Sequence, residues 1–216
     1  DLYATLQKKV LKPNTVQQHV PAWTIFGMFL IIIPIAGVMI KEREQGILQR
    51  FYVAPVSRVS FLFGRIISFV MVNLIQLVLM LLIGIFFFPL FDLPALNVVG
   101  HIGMISVIGI CVAFAATGFG VMMGTWAKTF EQAMAFGPIL IVIAAALGGI
   151  FVPSFLMPNV LKDFLNYSPL YWANNAFMDI LVRGEGFLTI LPNLLKLLGF
   201  FFVTLILTTF KFMRKV

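Results

Sequence analysis

Apolar residues run through this chain in long blocks rather than in strict alternation. Ala22–Ile40 holds 19 residues without a charge, and Ile66–Phe91 and Ile102–Ala127 hold 26 each. A helix needs about 20 residues to cross the hydrocarbon of a bilayer, so each block predicts a membrane-spanning helix. Pro34 inside the first block predicts a kink. The second and third blocks are joined by a short link containing Asp92 and Pro94, which predicts an antiparallel pair. Ala133–Leu161 is uncharged as well, but Pro153 and Pro158 break its end, so a fourth span is expected over 133–152. Leu188–Phe210 carries one charge, Lys196, whose long stem can snorkel toward a headgroup layer, and forms the fifth expected span. Between the fourth and fifth spans the segment PSFLMPNVLKDFLNYSPLYWANNAFMDILVRGEG is apolar but punctuated by Pro, Asn and charge. It reads as short helices lying at, or dipping into, the interface on the external side. The fold class is an all-α polytopic membrane protein with five transmembrane helices.

Composition agrees with the block pattern: 61% of the 216 residues are hydrophobic and 11% charged, far from the balance of a soluble domain. A net charge of +7 would suit nucleic acid, but the basic residues cluster at the ends of the apolar blocks, where they suit anionic lipid and set orientation. Nine Lys and Arg fall in the Lys41–Arg65 link, at Lys128 and in the Lys211–Val216 tail, against six on the other side including Lys8, Lys9 and Lys12. The side with nine is expected to be cytoplasmic. Trp23, Tyr167, Tyr171 and Trp172 fall at outer edges and Tyr52 and Trp126 at inner ones, as an interfacial aromatic belt requires. The chain opens at Asp1 with a polar lead. Residues 1–21 read as the end of an extracytoplasmic domain or linker, and 22–216 as a membrane domain whose upstream part lies outside this sequence.

Catalytic constellations are scarce. His19 and His101 are far apart and neither has a partner at metal-ligand spacing. Cys111, the single cysteine, lies inside an apolar block as a small core residue. No stretch has the Gly, four residues, Gly-Lys-Ser/Thr pattern that cradles phosphate, so any ATP dependence must come from a partner. GFGVMMG, Gly118–Gly124, has dinucleotide-loop glycines but sits in a span without a preceding strand. Packing reads it better: Ala116, Gly120 and Gly124 recur every four residues and put three small side chains on one helix face. Asn73 and Gln76 lie three apart within the second span, on one helix face, and should form an interhelical hydrogen bond or line a substrate route. Acidic residues are absent from the span interiors, which argues against a pump driven by protons or sodium.

The most charged stretch, Lys41–Arg58, KEREQGILQRFYVAPVSR, falls between two uncharged spans on the side expected to be cytoplasmic. Ile47, Leu48 and Phe51 share a face over Glu42–Tyr52, which predicts an amphipathic helix along the inner membrane surface, stopped by Pro55. Such an element is either an interfacial anchor or a lever moved by a soluble partner.

EREQGILQRFYVAPVSR resembles the cytoplasmic signature of ABC type-2 transporter permeases, with Ile47 where Thr is common and Gln49 where an acid is common. VPAWTIFGMFLIIIPIAGVMI, with Pro21, Trp23, Phe26 and Pro34, resembles the span before that signature in bacterial drug-export-like members. NYSPLYWANNAF, Asn166–Phe177, resembles their external segment before the last span. The resemblance implies a six-span domain whose first span lies upstream, and a coupling region at Glu42, Glu44, Gly46, Arg50 and Pro55 that meets an ATP-hydrolysing subunit. It implies an external gate at Pro169, Tyr171 and Trp172. It also implies two copies of that ATPase, carrying ATP and Mg, with no cofactor on this chain, and a second permease copy or homologue. The setting implied is the bacterial cytoplasmic membrane, with export as the expected activity. A non-transporting scaffold and a passive channel are the rival classes, the channel disfavoured by the lack of a charged ring or filter-like run.

Overall fold

The first span is a helix in two pieces. In the computed structural model, which describes residues 15–47, 58–151 and 164–214, α1 (Thr15–Phe29) and α2 (Ile32–Glu44) are separated by a turn at Leu30–Ile31. The kink expected at Pro34 therefore lies up-chain of the proline itself. A proline ring clashes with the carbonyl four residues before it, here that of Leu30, and offers it no N–H. That carbonyl accepts from the Ile33 amide at 3.1 Å instead, and the Leu30 amide is shared between the Phe26 and Gly27 carbonyls, both at 3.1 Å. The helix also begins earlier than Ala22, at Thr15, taking in residues 15–21 that read as linker from sequence.

The second span starts earlier too: α3 runs Arg58–Leu82 and continues through a π turn, Ile83–Phe87, and a 3₁₀ turn, Phe88–Phe91. Asp92, with φ of +56°, reverses the chain. The remaining elements are α4 (Ile102–Trp126), α5 (Phe130–Leu147), α6 (Pro169–Leu181) and α7 (Phe187–Arg214). Among the described residues, five helical stretches are long and apolar enough to span: Thr15–Glu44, Leu62–Phe91, Ile102–Trp126, Phe130–Leu147 and Phe187–Lys211. At 13 residues, α6 is about 20 Å long and too short to cross, as expected for the external segment. It packs against α1, α4, α5 and α7.

The fourth span ends at Leu147, short of the 152 expected. The stop is a glycine pair, not Pro153: Gly148 ends the helix, Gly149 takes φ of +75°, and the Ile150 amide reaches back to the Ala145 carbonyl at 3.2 Å. This is a Schellman closure, which needs a residue free to adopt the left-handed conformation. Pro153 and Pro158 lie outside the described residues.

Helix α4 occupies the centre, flanked by α7, α2 and α3. Its buried residues are spread around its circumference, Ile105, Ile108, Val112, Ala113, Ala115, Ala116, Gly120 and Val121 among them. Helix α3, by contrast, buries one stripe, Leu62, Ile66, Val70, Asn73 and Leu77, and exposes Ile67, Met71, Ile75, Val78 and Leu79. The stripe has helical spacing of three and four, so one face packs into the bundle and the other is exposed and apolar.

Candidate functional site

The charged segment between the first two spans is built from the end of α2. Glu42, Arg43 and Glu44 continue the spanning helix rather than opening a separate one. The helix stops because Gly46, at φ of +66°, takes the left-handed position after Gln45, with its amide on the Arg43 carbonyl at 3.2 Å. The amphipathic helix expected over Glu42–Tyr52 is thus interrupted at Gly46. Helix resumes at Ile47, and residues 48–57, including Arg50 and Pro55, lie outside the described residues. Gly46 acts here as the stop of the first span.

The three charges of Glu42-Arg43-Glu44 have different surroundings. Glu42 forms an ion pair with Arg65 of α3, and both side chains are largely shielded. Arg43 turns toward the end of α4: Nη1 donates to the Ala127 carbonyl at 2.8 Å, and Nη2 donates to the carbonyls of Gly124 at 2.8 Å and Thr125 at 3.4 Å. The last four carbonyls of a helix have no intrahelical donor and carry the negative end of its dipole. A planar guanidinium can serve several of them at once. Glu44 remains exposed beside Lys41 and Gln45. It borders a groove of about 660 Å³ between α2 and the start of α5, with Lys41, Phe130 and Glu131.

Other contacts fasten the same end. Lys211 of α7 lies over the Trp126 ring, 4.2 Å from its centroid. Thr129 caps α5 by accepting from the Gln132 amide at 3.2 Å, and Gln132 Oε1 accepts from the Lys128 amide at 2.8 Å. This is close to a reciprocal capping box, shifted by one residue. Lys41, Arg43, Arg65, Lys128 and Lys211 therefore gather at one end of the bundle, the grouping expected of a cytoplasmic face.

Deeper in the bundle, the small-residue face of α4 meets α2. A Cβ added at Gly120 would stand 3.3 Å from the Ile32 Cα, and one at Gly124 3.2 Å from the Ala36 Cα. Ala116 is fully buried on the same face. Gly118, off that stripe, meets α7, where an added Cβ would lie 2.7 Å from both Phe201 Cδ2 and Thr204 Oγ1. The two inter-helix approaches are close because the side chains there are absent.

Asn73 and Gln76 both turn toward protein. Asn73 is 0% exposed, its Nδ2 donating to Thr117 Oγ1 across a long 3.4 Å, while Oδ1 is buried without a hydrogen-bond partner. Gln76 is half-buried with Nε2 against Gly27 of α1, 2.7 Å from where a Cβ would stand.

At the opposite end, Pro169 begins α6, where its missing N–H costs nothing. The Ser168 hydroxyl donates to the Ala144 carbonyl of α5 at 2.8 Å. Trp172 is half-buried with its indole N–H on the Asn166 carbonyl at 2.8 Å. Tyr171 helps line a cavity of about 200 Å³ with Gln18, His19, Asn174 and Arg183. The expected gate residues thus share the first turn of one helix, away from the charged end. Among the described residues no three His, Cys, Asp or Glu side chains gather as metal ligands.

Arg43 and Arg65 were not singled out from sequence. A signal existed for Arg43, a cation at the last turn of a span flanked by two acids, but which helix end it would serve depends on packing.

With this arrangement in view, similarity defines the class. Residues 2–182 match the ABC-2 type transporter family, and the chain belongs to it. The linearmycin resistance permease protein LnrN of Bacillus subtilis is 24% identical over 198 residues, covering 92% of this chain and 50% of that protein. The inner membrane transport permease YhhJ of Escherichia coli is 28% identical over 207 residues, covering 88% and 52%. The probable multidrug ABC transporter permease YbhR of Escherichia coli is 23% identical over 174 residues, covering 73% and 46%. The chain spans about half the length of these curated relatives. No solved structure matches it.

Proposed function

We propose that this chain is membrane-spanning permease machinery of an ATP-driven exporter, moving amphipathic or hydrophobic cargo outward across a bacterial cytoplasmic membrane. ATP and Mg are held by a separate ATPase subunit in two copies, and a second permease copy or homologue completes the pathway. The observation that carries the reading is the division of labour in Glu42-Arg43-Glu44. Two charges hold α2 to α3 and α4, and the third stays exposed on the same rigid helix end. A partner pushing on Glu44 would move a fastened unit rather than a loose loop. A passive scaffold needs the exposed charge but not the fastening. The names of LnrN and YbhR, a resistance permease and a probable multidrug permease, agree with efflux.

ATP-driven closure of the ATPases would tilt α2, carry α3 and α4 with it, and flex the first span at Leu30–Ile31. The external segment at Pro169, Tyr171 and Trp172 would open in response. Inside-out vesicles holding the full-length permease and its ATPase test this directly. Outward export predicts ATP-dependent accumulation of a hydrophobic fluorescent dye that is lost with a hydrolysis-dead ATPase. Dye equilibration without nucleotide would support a channel, and no movement at all would support a scaffold.

A further inference from the structure

Between α1 and α6, at the end of the bundle opposite the basic cluster, lies the cavity of about 200 Å³ that Tyr171 borders. Its lining comes from three places. The start of α1 supplies Gln18 and His19, one face of α6 supplies Tyr171, Asn174, Asn175 and Met178, and the Gly148–Phe151 turn after α5 closes the third side. The four α6 residues recur at spacings of three and four, so that helix turns a single mixed face to the space. Phe151 is fixed by edge contacts with Trp23 and Phe26, ring centroids 5.8 and 5.5 Å away, which gives the cavity a firm apolar wall beside its amides. The polar groups here are only partly used. Asn174 Nδ2 donates to the Gly148 carbonyl at 3.3 Å, while Asn174 Oδ1 is buried without a hydrogen-bond partner. Among the described residues nothing hydrogen-bonds to the side chains of Gln18, His19 or Tyr171. Charge at the rim is compensated: Arg183 pairs with Asp179, and its Nη1 also donates to Asn175 Oδ1 at 3.2 Å.

A buried acceptor left unpaired costs stability and calls for a donor. We infer that this cavity binds an uncharged, hydroxyl-bearing group, held by Asn174, Tyr171 and Gln18 against the ring of Phe151. A hydroxyl both donates and accepts, so one such group serves the Asn174 oxygen while accepting from Tyr171 or Gln18. A carboxylate or phosphate has no proton to give that oxygen, and an ammonium would stand beside the Arg183 guanidinium. Apolar walls with a few convergent polar groups are the usual make-up of a small-molecule pocket, and the two rings suit the C–H faces of a compact polyol or sugar-like ring. The group arrives either on a free solute or as the head of an amphipathic molecule, and the same contacts serve both. The inference goes beyond the export reading, and the binding does not depend on an ATPase.

The test is saturation-transfer NMR on the full-length permease in phosphatidylcholine nanodiscs, without ATPase and at about pH 8, where an imidazole is ordinarily uncharged. Methyl glucoside is the probe, compared with 2-methoxytetrahydropyran, the same ring stripped of its hydroxyls. Signal above that of protein-free nanodiscs should be saturable for the glucoside and about tenfold weaker in affinity for the bare ring. The anion glucuronate should bind no more tightly than the glucoside. Tyr171→Phe and Gln18→Leu should each weaken the glucoside by about fivefold at unchanged melting temperature. Equal binding of the two rings in the wild type, tighter binding of glucuronate, or a glucoside signal untouched by both variants overturns the site. Monoglucosyl diacylglycerol at low mole fraction in the nanodisc then assigns the source: displacement of the glucoside makes the ligand a lipid-borne head, and undiminished glucoside binding makes it a free solute. Failure of the export reading would appear in the vesicle assay and leave these titrations intact.

Discussion

The two halves of the first span differ in how they are held. The inner half, α2, lies against α4 along a face where Gly120 and Gly124 let backbones approach, and it ends in Glu42 and Arg43, which reach α3 and α4. The outer half, α1, spreads lighter contacts over α3, α4 and α6, and its polar neighbour is Gln76 against Gly27. Leu30–Ile31 lies between them. In the proposed coupling, a displacement applied at Glu44 would be carried inward through these contacts and absorbed at the place where the helix is already broken. Coupling of this kind would need a stiff input and a compliant joint, the roles proposed for α2 and for the Leu30–Ile31 break.

The largest expected effect comes from filling the close approach. Gly124→Leu would push side-chain atoms against the Ala36 backbone and Met39, which cannot shift without separating two helices. A loss of about 3 kcal/mol should appear as poor recovery and a large fall in melting temperature in detergent. The same change at Gly199, where nothing stands within 4 Å, should be tolerated. Next comes Arg43→Ala, which strips the donors from the α4 carbonyls. A cost of about 1.5–3 kcal/mol is expected, since charge-assisted hydrogen bonds lie in that range and the site is part-buried. Arg43→Lys should recover only part of it, because an ammonium cannot match the planar fork that reaches Ala127 and Gly124 together.

Pro34→Ala probes the joint. Removing the ring restores an N–H to serve the Leu30 carbonyl, so the span should straighten with a stability change of about 1 kcal/mol or less. Spin-label distances from Glu42 to the outer end of α1 should lengthen, and ATP-dependent dye movement should fall. An unchanged distance would show that the break does not depend on the proline. Asn73→Leu should be the mildest. With one long hydrogen bond and one unpartnered buried oxygen, the amide contributes little, and replacement is expected to be neutral within about 1 kcal/mol. Lost export with unchanged melting would instead place Asn73 on the cargo route.

What the sequence made legible follows from the bilayer. Span count and approximate positions depend on runs of uncharged residues matching a fixed thickness, and those are local properties. Boundaries depended on partners. Helix α3 begins at Arg58 and includes Arg65, whose charge is met by Glu42, remote in sequence. The fourth span ended at a glycine pair before the prolines could act. Ala116, Gly120 and Gly124 were readable because their spacing draws a face, whereas Gly118 was not, since its role against Phe201 and Thr204 belongs to a second face of the same helix. Arg43 was hidden because a helix end supplies carbonyls to whatever cation packing brings near, and Arg65 because its acid, Glu42, is remote in sequence.

The central claim is that Glu42 and Arg43 fasten the input helix while Glu44 is free to meet a partner. Melting temperature and association with the candidate ATPase, measured together in lipid nanodiscs for Glu44→Lys and Arg43→Ala, test it most directly. Glu44→Lys, at an exposed position, should leave stability within about 0.5 kcal/mol and abolish association and its effect on ATP hydrolysis. Arg43→Ala should lower the melting temperature yet still bind the ATPase below it. If Glu44→Lys binds and stimulates like the wild type, or destabilises as much as Arg43→Ala, the division between fastening and docking charges is wrong.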